Sequence, residues 1–189
     1  MATPDDATLT ALAMAAKSGD RDAAASFVRA TQQQVYRFLV HLVDGDHAED
    51  LTQETYLRVM KALPRFAGRS SARTWLYSIA RRVAADHIRA VRVRPRVAAV
   101  DDWEVAADAQ AGPSRSVEDQ VVLRDLLDCL DAQRRVAFVA TQVLGLSYAE
   151  AAQVCDCPVG TIRSRVARAR EDLVELMRDE HLRCSDTGT

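Results

Sequence analysis

Aromatic residues make up only 5% of this 189-residue chain, and lysine occurs just twice, at Lys17 and Lys61. The four cysteines, Cys129, Cys155, Cys157 and Cys184, contain no C-x-x-C pair, which excludes the common zinc and thioredoxin-like motifs. They read as free thiols of a reducing compartment, although Cys155 and Cys157, two positions apart, leave a redox role open. His87 has no second His or Cys at ligand spacing, so no metal is expected. There is no glycine-rich phosphate loop, and no nucleophile with a His and an acid at a recognisable spacing. Neither catalytic residues nor a cofactor are therefore expected. No apolar run approaches membrane-spanning length. The stretch from Met1 to Lys17 lacks the basic start and apolar run of a signal peptide, which predicts a cytoplasmic protein with no membrane insertion.

Hydrophobic residues account for 48% of the chain and charged residues for 28%, a profile that can build real cores. Alanine, leucine and arginine dominate and favour helix throughout. The net charge of −2 hides a segregation. Six arginines and one acid, Asp86, fall between Arg81 and Arg96, whereas five acids and one arginine fall between Glu171 and Glu180. An acidic chain can thus present local basic surfaces.

Periodicity divides the first half into four helices. Asp5 or Asp6 opens the first, which has Leu9, Leu12, Ala13 and Ala16 on one side and stops at Ser18-Gly19-Asp20. The second runs from about Arg21 to Val43, with Phe27, Ala30, Val35, Phe38, Leu39 and Leu42 apolar. The third, about His47 to Leu63, turns Ala48, Leu51, Tyr56, Val59, Met60 and Leu63 toward a core. Asp50, Gln53, Glu54 and Arg58 lie on or near another face. The helix dipole accounts for Glu49 and Asp50 in the first turns but not for Gln53 and Glu54. That face is either solvated or a dock for a basic partner. Residues 64–71 read as a loop that leaves Phe66 and Arg69 exposed, and Ser70 or Ser71 can cap a fourth helix over Ala72 to Val91. Its apolar side holds Trp75, Leu76, Ile79, Ala80, Val83 and Ile88. An aromatic with Arg69 and Arg73, beside a basic track through Arg81, Arg82 and Arg89, suits unstacked bases. Taken alone, Trp75 is more readily a core residue.

Residues 92–116 break the helical pattern. They hold Pro95 and Pro113 and the acids Asp101, Asp102, Glu104 and Asp108, and read as a linker between two small domains. The linker is either a solvated tether or a segment that mimics nucleic acid or lies in a positive channel. A fifth helix follows from Val117 to about Leu130. Asp131 caps a sixth, which carries Val136, Phe138, Val139, Val143 and Leu144 and ends at Gly145. Ser147 and Glu150 form an S-x-x-E capping box for a seventh, Tyr148 to Cys155. After a turn at Asp156-Cys157 comes a basic helix with Ile162, Val166, Ala169 and Leu173 on one stripe. Thr161, Ser164 and Arg168 point away from that stripe, and Arg163, Arg165 and Arg170 flank it. A short capped helix, a turn and a longer basic helix are a helix-turn-helix layout, with Ala149, Ala151 and Ala152 allowing close approach. By itself the basic helix is as readily a solvated charge run. The pattern fades after about Met177.

Three segments then carry a resemblance. A-E-D-L-T-Q-E-T-Y-L-R (48–58), S-A-R-T-W-L-Y-S-I-A-R (71–81), and L-S-Y-A-E-A-A with C-P-V-G-T-I-R-S-R-V-A-R-A-R (146–170) resemble, in order, regions two and four of extracytoplasmic-function (ECF) sigma factors of bacterial RNA polymerase. The wording is nearest to the actinobacterial sigma-C type, and the resemblance covers about Phe27 to Leu176. It implies an all-α fold with region two over 1–91, a linker over 92–116, region four over 117–180 and a disordered tail over 181–189. It implies a promoter-specificity subunit with no enzymatic activity, which binds core polymerase, recognises the −35 and −10 elements and helps open DNA.

Position by position, the resemblance assigns Asp50, Gln53, Glu54 and Arg58 to the clamp coiled coil of the polymerase's largest subunit. It assigns Phe66, Arg69, Ser70, Ser71, Arg73, Trp75, Arg81, Arg82 and Asp86 to the −10 element, where a base is captured outside the stack. Thr161, Arg163, Ser164, Arg165 and Arg168 would read the −35 element, shared between phosphates and base edges. The sixth helix and its neighbours would meet the flap of the second-largest subunit. Tyr56 stands where the family usually has Phe, and Asp131 stands where it often has Pro. The family also implies an anti-sigma partner; self-occlusion, with the two domains folded together through the acidic linker, is the other route to control, and no appended sensor domain is expected. The competing reading, a stand-alone helix-turn-helix regulator on operator DNA, leaves the Asp50–Arg58 face and the Arg81–Arg96 track unexplained.

Overall fold

The computed structural model describes residues 5–43, 45–93 and 117–185, and among these every regular element is a helix. Helix α1 (Asp6–Lys17) starts where the Asp5 carboxylate accepts a 2.7 Å bond from the Thr8 amide and stops before Gly19, whose φ of +99° suits glycine. Asp20 caps α2 (Arg21–Val40) through the amides of Asp22 and Ala23, both at 2.9 Å. The helix ends three residues short of Val43, and Leu42 and Val43 are buried in the turn that follows.

Helix α3 (Gly45–Ala62) passes into a 3-10 turn, Leu63–Arg65, which Pro64 tolerates because it sits at the start, where its missing N–H has no partner to lose. Helix α4 (Ala72–Val93) begins at Ser71, whose hydroxyl accepts from the Thr74 amide at 3.2 Å, and runs two residues beyond its expected end. The rest of the expected linker lies outside the described residues. The N-terminal core is built on Phe27, Val35, Phe38, Leu76 and Tyr77, with the Phe38 and Tyr77 rings edge to face at 5.2 Å. Tyr56 and Thr31 share a 2.8 Å hydrogen bond between α3 and α2, and burial pushes the Tyr56 hydroxyl far up. Met60, expected in the core, is exposed.

The C-terminal half holds α5 (Val117–Asp128), α6 (Ala132–Phe138), α7 (Tyr148–Cys155) and α8 (Val159–Ser185). Asp131 caps α6 through the Gln133 amide at 2.9 Å. The expected continuous sixth helix instead changes to a π-helix over Val139–Val143. The wider turn, closed by the Leu144 amide on the Val139 carbonyl at 3.0 Å, shifts the register. Val143, seven residues after Val136, is rotated out and exposed as a result. Helix α8 runs on to Ser185, so 181–185 are helical where a disordered tail was expected, and 186–189 lie outside the described residues.

The two halves pack together, with α7 lying along α4. Arg73 Nη2 donates to the Leu144 carbonyl at 2.9 Å, and Arg81 Nε donates to the Val154 carbonyl at 2.8 Å. Near the start of α3, the Arg124 guanidinium of α5 lies 2.8 Å from where a Cβ on Gly45 would stand. Any other residue there would push that side chain aside.

Candidate nucleic-acid interface

The helix-turn-helix is assembled by local chemistry. The Ser147 amide donates to Glu150 Oε2 at 2.8 Å and the Glu150 amide to Ser147 Oγ at 3.2 Å, so the capping box forms in both directions. Burial opposes ionisation of Glu150, but these bonds hold its carboxyl below the ordinary range. Helix α7 ends on Asp156 in the left-handed conformation, φ 52°, and the Cys157 amide closes the turn on the Ala152 carbonyl at 3.1 Å. Ala151 and Ala152 are buried and let α8 approach, whereas Ala149 is exposed and contributes nothing to that contact.

On α8, Ile162, Val166 and Ala169 are fully buried and Leu173 half-buried, as the stripe requires. Arg163, Ser164 and Arg168 stand exposed on the outer surface, with Thr161 half-buried beside them. Arg165 departs from this set. Its guanidinium turns back onto Gln133 of α6 and, at 3.5 Å, donates to Cys157 Sγ.

The residues expected at the −10 element divide into two groups. Arg69 and Arg82 are exposed and Ser70 half-buried. The others are engaged within the protein. Phe66 is 3% exposed and packs on the half-buried Trp75 ring at 4.8 Å, while Lys17 Nζ holds its carbonyl at 2.8 Å. Phe66 is therefore a core residue rather than an exposed aromatic platform, because the short loop folds inward over α1 and α4. Ser71 caps α4. Arg73 bridges Leu144 and, at 3.5 Å, Asp6, and Arg81 is held by Val154. The guanidinium of Arg58 holds the Asp86 carboxyl below the usual carboxylate range, and Arg89 adds to the effect.

On α3, Asp50 and Gln53 are exposed. Glu54 and Arg58 are half-buried and form an ion pair at 2.8 Å, and Arg58 continues to Asp86 at 2.6 Å. Arg58 thus spends its guanidinium inside the protein, linking α3 to α4. Leu57 belongs to this face as well, beyond the residues expected there. It is 58% exposed and, with Gln53, Tyr56 and Met60, borders an apolar hollow against Val28 of α2. Its place four residues after Gln53 and seven after Asp50 puts it on the same stripe, a signal that helical periodicity contains. Among the described residues no cluster of His, Cys, Asp or Glu could hold a metal ion, and no helix is long and apolar enough to cross a membrane.

Residues 27–94 match the family described as Sigma-70 region 2, and residues 120–173 match Sigma-70, region 4. The ECF RNA polymerase sigma factor SigC of Mycobacterium tuberculosis is 53% identical over 172 residues, which cover 90% of this chain and 91% of the relative. The structure of CnrH in complex with the cytosolic domain of CnrY shares the fold, with a TM-score of 0.71 over 91% of this chain and 98% of that one at 23% identity. The sigma factor RpoE in complex with the anti-sigma factor NepR from Bartonella quintana gives 0.65 over 80% and 94% at 30% identity. Both conserved regions in order, and a SigC relative more than half identical along nine-tenths of the chain, place this protein in the ECF family of RNA polymerase sigma factors.

Proposed function

We propose that this chain is a promoter-specificity subunit that acts in the cytoplasm, with region two over 1–91, a linker over 92–116 and region four over 117–180. The family is not one of enzymes; its role is to direct RNA polymerase. Helix α3 offers Asp50, Gln53 and the Glu54–Arg58 pair to the polymerase clamp. Arg69, Ser70 and Arg82, joined by Arg73, Arg81 and Asp86 once their internal partners release them, meet the −10 element. The outer face of α8, through Thr161, Arg163, Ser164 and Arg168, reads the −35 element, with α6 toward the polymerase flap. An anti-sigma factor is a fitting partner, since the related RpoE was solved with one.

One observation carries the reading. Exposed Arg163, Ser164 and Arg168 stand above a buried Ile162–Val166–Ala169 floor, in the same chain as the exposed Asp50 and Gln53 face. A stand-alone operator-binding regulator needs only the first. Elements named for positions about 25 base pairs apart lie on the order of 85 Å apart in B-DNA, at ~3.4 Å per base pair. The 23 residues 94–116 can reach about 80 Å when extended. The packed arrangement of α4 and α7 must therefore part before both elements are held, and the linker's reach together with the widths of the two domains spans that distance.

Run-off transcription with core polymerase tests the reading. Specific initiation is expected only when core is added, with no tight duplex binding by the protein alone. Specific operator binding by the free protein, without transcription on adding core, would overturn it.

A further inference from the structure

Between the two packed regions lies a groove of about 870 Å³. Its walls come from the second half of α4, the end of α5, α6, and the turn into α8. Five arginines line it, Arg81, Arg82, Arg89, Arg135 and Arg165, against two aspartates, Asp128 and Asp131. Arg135 is paired with Asp128 and Arg89 with Asp86, which leaves Arg81, Arg82 and Arg165 without a carboxylate partner among the described residues. Its floor is apolar, formed by Leu42, Val43, Ile88, Leu130 and Val136. A surface both cationic and apolar calls for an acidic segment that carries a large hydrophobic side chain. Arg82 is exposed and, among the described residues, makes no ion pair.

The chain supplies such a segment. Residues 101–108 read D-D-W-E-V-A-A-D, with four acids, no base and Trp103 in their midst. They lie outside the described residues, but both chain ends that lead to them are at the groove. Val91, near the end of α4, lines it, and so does Asp128, the last residue of α5. Seven residues lie between Val93 and Asp101, so eight Cα–Cα steps give a reach of roughly 25 Å when extended, and the segment can reach the groove.

We propose that the acidic linker segment 101–108 docks in this groove, with Trp103 against the apolar floor and Asp101, Asp102 and Glu104 facing Arg82 and Arg165. The docked segment makes intramolecular the contacts that a separate acidic partner would otherwise provide, at an effective concentration set by the short tether. Arg82 belongs to the −10 surface and Arg165 borders the −35 surface, so the segment also occupies cations that DNA phosphates would use. That consequence rests on the promoter reading; the docking itself does not.

The two tryptophans are Trp75 and Trp103, so Trp75→Phe in the full chain leaves Trp103 as the only indole. Its emission is expected to be blue-shifted, and its quenching by acrylamide several-fold slower, relative to N-acetyltryptophanamide. Asp101→Asn with Asp102→Asn and Glu104→Gln, which leaves the groove intact, should abolish that protection. Arg82→Glu with Arg165→Glu should abolish it too, and Asp101→Arg with Asp102→Arg in that background should restore it. Trp103 quenched as readily as the free indole in the Trp75→Phe chain, or protection that survives the neutralised linker, would overturn the proposal. No DNA or polymerase is present in these measurements, so failure here leaves the promoter reading standing, and failure of transcription leaves the docking standing.

Discussion

Arg58 of α3 and Asp86 of α4 form an ion pair, Nη1 to Oδ2 at 2.6 Å, with Glu54 bonded to the other side of the same guanidinium. The pair joins α3, the helix proposed to meet polymerase, to α4, the helix proposed to meet the −10 element. Both side chains are about two-fifths exposed, at 39% and 43%, so water screens much of the attraction. A double-mutant cycle with Arg58→Ala and Asp86→Ala, read by urea unfolding, should give a coupling below about 1 kcal/mol. The larger effect is expected on core binding, where Arg58→Ala frees Glu54 and loosens the face it shares with Gln53.

The same pair sets a pH dependence. Hydrogen bonding to Arg58, with help from Arg89, lowers the Asp86 carboxyl from its ordinary value. A group whose pKa is depressed in the folded protein adds stability above its unfolded pKa and loses it as pH falls through the folded one. The stability difference between the parent and Asp86→Asn should thus be full above about pH 5 and close progressively below about pH 4. Parallel urea titrations of the two proteins measure it; a gap that widens toward acid would contradict the assignment.

Phe66→Ala should act on stability. The ring is buried against Trp75, and removing such a side chain costs about 3–5 kcal/mol. Arg69→Ala, three residues on and exposed, should stay within about 0.5 kcal/mol of the parent while weakening −10 recognition. Thermal unfolding and promoter-opening assays on both variants separate the roles.

Arg163→Ala and Arg168→Ala should leave the fold unchanged and weaken −35 recognition by holoenzyme. A loss of about 1–3 kcal/mol confined to one base position marks a base contact, while a uniform loss with a shallower salt dependence marks a phosphate contact. Footprinting on promoters altered one position at a time decides between them.

Cys155 should be slow to alkylate. It is buried where α7 meets α4, and burial pushes its thiol up to about 11. Exposed Cys129 should react first with iodoacetamide at pH 8, and the two rates should converge in urea. Mass spectrometry resolves the two peptides. Rapid native labelling of Cys155 would show that the packed arrangement opens readily in solution.

What the sequence made legible was local. Asp131 and the Ser147–Glu150 box each cap the helix they were expected to cap, and Asp5, one of two aspartates that could open the first helix, caps it, because a side chain reaching back to an unpaired amide needs only its neighbours. The α8 stripe was legible for the same reason. The π-helix at Val139–Val143 was not, since its register change arises from packing and has no compositional mark. Nor was the inward position of Phe66, where a short loop with an aromatic reads the same whether the ring is buried or displayed. The engagements of Arg73, Arg81 and Arg165 depend on the second domain lying against the first, a contact no spacing within one helix encodes.

Arg73 and Arg81 cross between the domains by donating to main-chain carbonyls, those of Leu144 and Val154. A carbonyl oxygen is present whichever residue occupies the position, proline included. Substitution at 144 or 154 therefore leaves both acceptors in place, whereas loss of either guanidinium removes a bond outright. A genetic selection for variants with separated domains should recover changes at 73 and 81 and miss their partners, so the map of such alleles would be lopsided. Drift at Leu144 and at the exposed positions of α7 can change side chains without erasing these two attachment points.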